Sequence, residues 1–292
     1  MMVGFRVSYL VLLVCWAFGV LLNAAQDFTV RHEPQGPLGV RLDYQVAISW
    51  PKDITLKPAV RRMIMFSSHL KFKKSVKDLS DGQLWQIAHD AHAEMVADSK
   101  QYGILPKDVP TAMVVLAFEN EIFLASSSKN AGIFAYEYPE TKVLKTLQLC
   151  QLEFEKEGFG SKTHKNRGNC GEVMVAQLYY SQGDDMPLLA TKSARIAAVL
   201  LNKGDTGPTQ TDPCGSDRDV SEPPHSCTAH FTKAESKNKQ DVWGCNKFVV
   251  AEGMTPLDVG DTALPYDLEE LLGKPEISQI QLCGSPTAPS SS

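Results

Sequence analysis

Residues 169–181 read Asn-Cys-Gly-Glu-Val-Met-Val-Ala-Gln-Leu-Tyr-Tyr-Ser. Taken at a period of three to four, the stretch sets Val173, Ala176, Gln177 and Tyr180 along helical faces, so a helix begins at or just before Cys170. Cys170, a small residue and Glu172 then fall on the first turn. The approach, KTHKNRGN at 162–169, is polar and contains glycine, as expected of a segment leading into a helix. A thiol and a carboxylate two residues apart at a helix start acquire meaning only from their surroundings.

Upstream, Ser80 and Asp81 are helix N-cap residues by type, and Leu84, Ile87, Ala91, Met95 and Val96 recur at helical spacing as far as Tyr102-Gly103. This predicts a helix over 81–101. AMVVLAF (112–118) and IFLASSS (122–128), separated by Glu119-Asn120-Glu121, predict a β-hairpin. Residues 139–157 read as another helix. Downstream, SARIAAVLLN (193–202) reads as a buried strand, followed by a Gly, Asp, Thr and Pro-rich loop to Pro224. CTAHFTKAESKNK (227–239) is compatible with helix, while KFVVAE (247–252) and ISQIQL (277–282) read as strands. Residues 26–75 read as irregular or β-rich, with strand-like alternation in VRLDYQVAISW (40–50). The order specifies an α/β fold, a three-layer α/β/α sandwich with a mixed sheet of about five strands. The helix at 81–101 covers one face, and the helices that start near Cys170 and after Cys214 cover the other.

The whole chain has 292 residues, 43% hydrophobic and 22% charged, with a formal net charge of −5. That composition excludes collagen, coiled coil and wholesale disorder. An acidic balance also argues against generic tight binding to duplex nucleic acid through many phosphate contacts, while leaving room for a local basic groove. Residues 1–25 carry a lone Arg6, an apolar run and small residues at Asn23-Ala24-Ala25, the pattern of a secretory signal peptide. Its removal takes one of the seven cysteines, leaving Cys150, Cys170, Cys214, Cys227, Cys245 and Cys283. The expected organisation is a signal peptide at 1–25, an N-terminal extension at 26–77, a main α/β domain at 78–283 and a disordered tail at 284–292. The mature protein is expected to be secreted, without stable membrane association.

The element order, with NCGEVMVAQ at 169–177 and DPC at 212–214, resembles the zinc-dependent deaminase superfamily that acts on nucleosides, bases and nucleic acids. In that family one helix begins with Cys or His, a small residue and Glu, and the next begins with Pro-Cys-x-x-Cys. The resemblance covers roughly residues 80–250. It implies a catalytic Zn2+ with Cys170 and Cys214 among its ligands, and Glu172 as the group that shuttles a proton to the ring and then to the departing amine. The second motif diverges, because Cys214 is followed by Gly-Ser-Asp and Asp217 stands where the third ligand is expected. A loop returning Cys227 to the metal supplies that ligand, with His225 as the alternative. By the same resemblance, Ser126, Ser127, Asn130, His164 and Asn166 are candidates for the pocket wall, Ser126 and Asn130 foremost.

The implied function is a secreted deaminase of a nucleobase, free or within nucleic acid, of an effector or toxin-like kind acting on a host or target-cell component. The rival reading is a non-catalytic secreted protein in which six cysteines form three disulfides and Glu172 merely favours the helix dipole. Two decoys carry less. His89 and His92 stand at i and i+3, whereas the zinc-protease pattern needs i and i+4. Ser126 to Ser128 lack the Gly-x-Ser-x-Gly elbow of serine hydrolases.

Overall fold

The computed structural model describes residues 26–49, 62–130, 134–137, 141–156, 164–214 and 243–282. It begins with a two-residue strand β1 (Arg41–Leu42), helix α1 (Tyr44–Ser49), and strands β2 (Met63–Ile64) and β3 (Phe66–Lys71). Helix α2 (Asp81–Gln101) follows. Ser80 accepts from the Gln83 N–H while the Gln83 side chain accepts from the Ser80 N–H, a reciprocal capping box. Then come the hairpin strands β4 (Ala112–Phe118) and β5 (Glu121–Ser126), the short β6 (Lys129–Asn130), and helices α3 (Phe134–Glu137), α4 (Lys142–Lys156) and α5 (Gly171–Tyr180). The remainder is β7 (Arg195–Leu200), β8 (Thr209–Thr211), α6 (Cys245–Ala251), β9 (Thr255–Pro256), α7 (Leu268–Leu272) and β10 (Glu276–Ser278).

The hairpin lies at the centre of one mixed sheet, ordered β1-β3-β5-β4-β7-β8, with β10 also on β3 and β9 also on β7. Four strands are long and the other four are short edge pieces. All pairs are antiparallel except β7 with β9, which are joined through α6 as a crossover unit must be. Period-two alternation sends the two faces to two cores. Val114, Leu116, Phe123, Ala125, Ile196 and Ala198 meet α4, α5 and α6. Met113, Val115, Ala117, Ile122, Leu124, Ala197 and Val199 meet α2. Each fully buried Val, Leu, Ile or Phe contributes about 1.5–3 kcal/mol over its exposed state, so the strands are fixed in register by both faces. The three layers expected from the sequence are present.

Three local expectations differ. KFVVAE lies in helix α6 rather than in a strand, because a short apolar run buried on every side does not distinguish the two forms. VRLDYQVAISW is a two-residue strand and then helix α1, started by Asp43, whose carboxylate accepts from the Val46 N–H at 3.1 Å. ISQIQL is strand only at its start, in β10. From the 26–77 stretch, β1 and β3 extend the sheet. No helix among the described residues is long and apolar enough to cross a membrane. The 1–25 leader, the 227–239 segment and the 284–292 tail lie outside the described residues.

Candidate metal centre

Helix α5 is buried on every side, and its Cys170 end is pressed against the hairpin. Gly171 makes that approach possible. A Cβ there would lie 2.5 Å from Val114 Cγ2 and 3.2 Å from the Ala125 carbonyl oxygen. The small residue between Cys170 and Glu172 is therefore a packing requirement of the helix start. Gly244 plays the same part before α6, since a Cβ would lie 2.2 Å from the Cys214 carbonyl oxygen. With Gly244 in place, the Asn246 N–H donates to that carbonyl at 3.0 Å and the Cys245 N–H donates to Cys214 Sγ at 3.4 Å.

These two close approaches bring three thiols and an imidazole together. The ligand atoms of His164, Cys170, Cys214 and Cys245 all lie within 4.8 Å of one another, the sole such cluster found among the described residues. Cys170 Sγ is 3.5 Å from Cys214 Sγ, and Cys245 Sγ is 3.3 Å from His164 Nε2. Donor atoms held by one tetrahedral zinc are about 3.5–3.8 Å apart, so the set fits such an ion, and soft thiolates suit zinc by type. Asn166 Nδ2 donates to Cys170 Sγ at 3.0 Å and to Cys214 Sγ at 3.5 Å.

Glu172 lies beside the cluster. It is buried, and burial foremost, with the neighbouring Cys214 thiolate second, raises its carboxyl to about 7, while the Cys245 thiol hydrogen-bonds it. Among the thiols, Cys214 is the most accessible and accepts from Cys170 and Cys245, which holds it below an ordinary thiol. Bonding to Cys214 raises Cys170, and burial raises Cys245. A buried carboxyl whose hold on its proton is raised by its surroundings, beside a cluster of thiols, is of the type that acid–base work uses.

The structure brings Cys170 and Cys214 together with Cys245 and His164, and sets Glu172 beside them. Cys227 and His225 lie outside the described residues. Cys245 had a signal, a Gly-Cys pair before a short apolar run, but the run read as a strand. Cys170, Cys214 and Cys245 are not in disulfides, and the 3.5 Å Cys170–Cys214 separation is far beyond the bond length of about 2.05 Å. This corrects the reading in which Cys170 and Cys214 staple the chain. Ser126 stands at the end of β5 with its hydroxyl committed, accepting from the Phe66 N–H at 2.9 Å and donating to the Ser127 carbonyl at 2.8 Å. Asn130, in β6, holds a left-handed φ of 70°, and its buried Nδ2 has no hydrogen-bond partner among the described residues. His89 and His92 join no metal-binding cluster among the described residues.

Comparison of the chain with models of known families, with curated proteins and with solved structures gives no match.

Proposed function

We propose that the chain is an exported zinc-dependent hydrolytic deaminase of a nucleobase. One observation carries the reading: a buried Glu172 stands beside three unbridged thiols, Cys170 and Cys245 at the starts of two helices and Cys214 in the segment after β8. Cys170, Cys214 and Cys245 would hold the ion. Zinc bound there supplies a Lewis acid that makes hydroxide available from water near neutral pH. The reaction replaces an exocyclic amine with oxygen, consuming one water and releasing one ammonia. Glu172 is the chain's proton carrier, moving one proton of the attacking water to the ring nitrogen and then the remaining hydroxyl proton to the amine, which leaves as ammonia while the carbonyl forms. Asn130, whose buried Nδ2 has no hydrogen-bond partner among the described residues, is the candidate for holding the base or its sugar. The apolar leader at 1–25 supports export.

The test is ammonia release from cytosine- and adenine-bearing nucleosides and single strands by the zinc-loaded chain. Glu172→Gln should keep one zinc and lose about 10²–10⁴-fold in rate. Undiminished activity in that variant, or a zinc-loaded wild type inert on the whole panel, overturns the reading. One observation favours a competitor: His164 Nε2 completes a four-donor set, which describes a closed, purely structural zinc site.

A further inference from the structure

The His164 ring decides between an open and a closed centre. At 3.3 Å from Cys245 Sγ, its Nε2 is either a fourth metal ligand or an N–H donor to the thiolate. The other ring nitrogen discriminates. Nδ1 accepts the backbone N–H of Asn166 at 3.1 Å and of Gly168 at 3.4 Å. Two N–H groups aimed at one nitrogen require its lone pair, and a neutral imidazole carries a single proton, which this network assigns to Nε2. A ligating imidazole is wired the opposite way, with the Nε2 lone pair on the metal and Nδ1–H given to an acceptor. Here that Nδ1–H would face two donors.

The surrounding loop enforces the arrangement. Arg167 and Gly168 are consecutive left-handed residues with φ of 55° and 71°, and for Arg167 this is a costly conformation. It closes a turn in which the Arg167 N–H donates to the His164 carbonyl at 2.7 Å and the Asn169 N–H to the Asn166 carbonyl at 3.0 Å. The turn points both amides at the ring. Tyr136 Oη accepts the His164 N–H at 3.2 Å, and Trp243 packs edge to face on the imidazole with centroids 5.1 Å apart. Strain is thus spent on presenting donors to Nδ1.

We propose that His164 is a positioning residue that donates Nε2–H to the Cys245 thiolate, so that a metal here is held by three thiolates and keeps one position for a small exogenous ligand such as water. Each thiolate then has an N–H donor: His164 for Cys245, Asn166 for Cys170, and Asn166 with the Cys245 amide for Cys214. Such bonds to charged sulfur are the stronger kind and spread the excess negative charge of a three-thiolate zinc site. The inference rests on the metal-centre reading above, and it removes the competitor to catalysis.

X-ray absorption at the zinc edge of the full chain loaded with Zn2+ tests it. The expected spectrum has three sulfurs and one oxygen or nitrogen, without outer-shell imidazole scattering; imidazole scattering overturns the assignment and leaves the metal centre standing. His164→Gln retains an N–H donor and should keep one metal and the three-sulfur shell, with affinity about 10–100-fold weaker at most. In Co2+-loaded protein, His164→Ala should shift the thiolate-to-cobalt charge-transfer band and His164→Gln should restore it. An identical band in all three overturns the assignment. A wild-type chain that takes up neither ion defeats the metal-centre reading and this inference together.

Discussion

Two glycines and one thiol show how closely single residues constrain the centre. Gly171 has no room for a methyl group, since Val114 Cγ2 and the Ala125 carbonyl stand where a Cβ would go. Gly171→Ala must push α5 off the hairpin, and we expect a loss of about 1–3 kcal/mol, read from the urea unfolding midpoint at unchanged slope. Gly244→Ala strikes the Cys214 backbone instead of a side chain. Its expected effect is on metal uptake, measured as bound zinc per chain, because it separates Cys214 from Cys245. The ligand set itself is tested in the same way: Cys245→Ser should bring zinc well below one per chain, while Cys227→Ser should keep it, since three thiols are already assembled without Cys227. The reverse result would return the third position to Cys227.

At the scale of elements, local signals and tertiary demands separate cleanly. Helix α2 carries both a periodic apolar stripe and a capping box, so its ends follow from the chain alone. Ser80→Ala removes the acceptor for the Gln83 N–H and should cost about 1 kcal/mol in chemical denaturation, with Ser80→Asp restoring most of it. A loss near zero would mean that packing against the sheet, not the cap, sets where α2 begins. The hairpin, α2, α4, α5 and β7 were legible because each combines a clear period with flanking turn residues. Helices α1 and α6 were not. Each is under eight residues and buried against neighbours, and in so short a span a run such as Phe248-Val249-Val250 satisfies a strand as well as a helix. The metal centre was half legible for the same reason. Cys170 and Glu172 share one helical turn and declare themselves in sequence. Cys245 is separated from Cys214 by thirty intervening residues, and only the close approach that Gly244 permits makes the two thiols neighbours. His164 offered no spacing rule, since its place depends on the left-handed turn at Arg167.

Across the whole molecule, the two ends of the described chain are fastened by buried carboxyls, and this gives the protein an unusual pH response. Glu94 accepts the Leu38 and Val40 amides, Asp98 accepts the Leu42 amide, and Asp43 accepts the Val46 and Leu282 amides, all at 2.7–3.1 Å. Burial raises all three carboxyls, Asp43 and Asp98 to about 6, against the partial opposition of these amides and of Arg31, Arg41 and His32. In the unfolded chain such groups titrate near 4. Between about pH 4 and 6 the native state therefore holds protons that the unfolded state has released, and stability falls as pH rises through that window. The expected drop is on the order of 1–3 kcal/mol, visible as a lower urea midpoint at pH 7 than at pH 4.5 in chelator-treated protein. Asp98→Asn keeps an acceptor for Leu42 and, with the Gln101 amide turned, a donor for its carbonyl, so it should flatten the slope without loss of the fold. The metal centre pulls the other way, because thiols must release protons to bind zinc and acid returns them. Zinc-loaded protein should then gain stability over the same rise in pH, and the gap between loaded and chelated protein should widen from pH 4.5 to 7. If the two curves run parallel, the ion does not engage the thiols; if the chelated curve rises with pH, the buried carboxyls are ionised at no cost and the fastening has been misassigned.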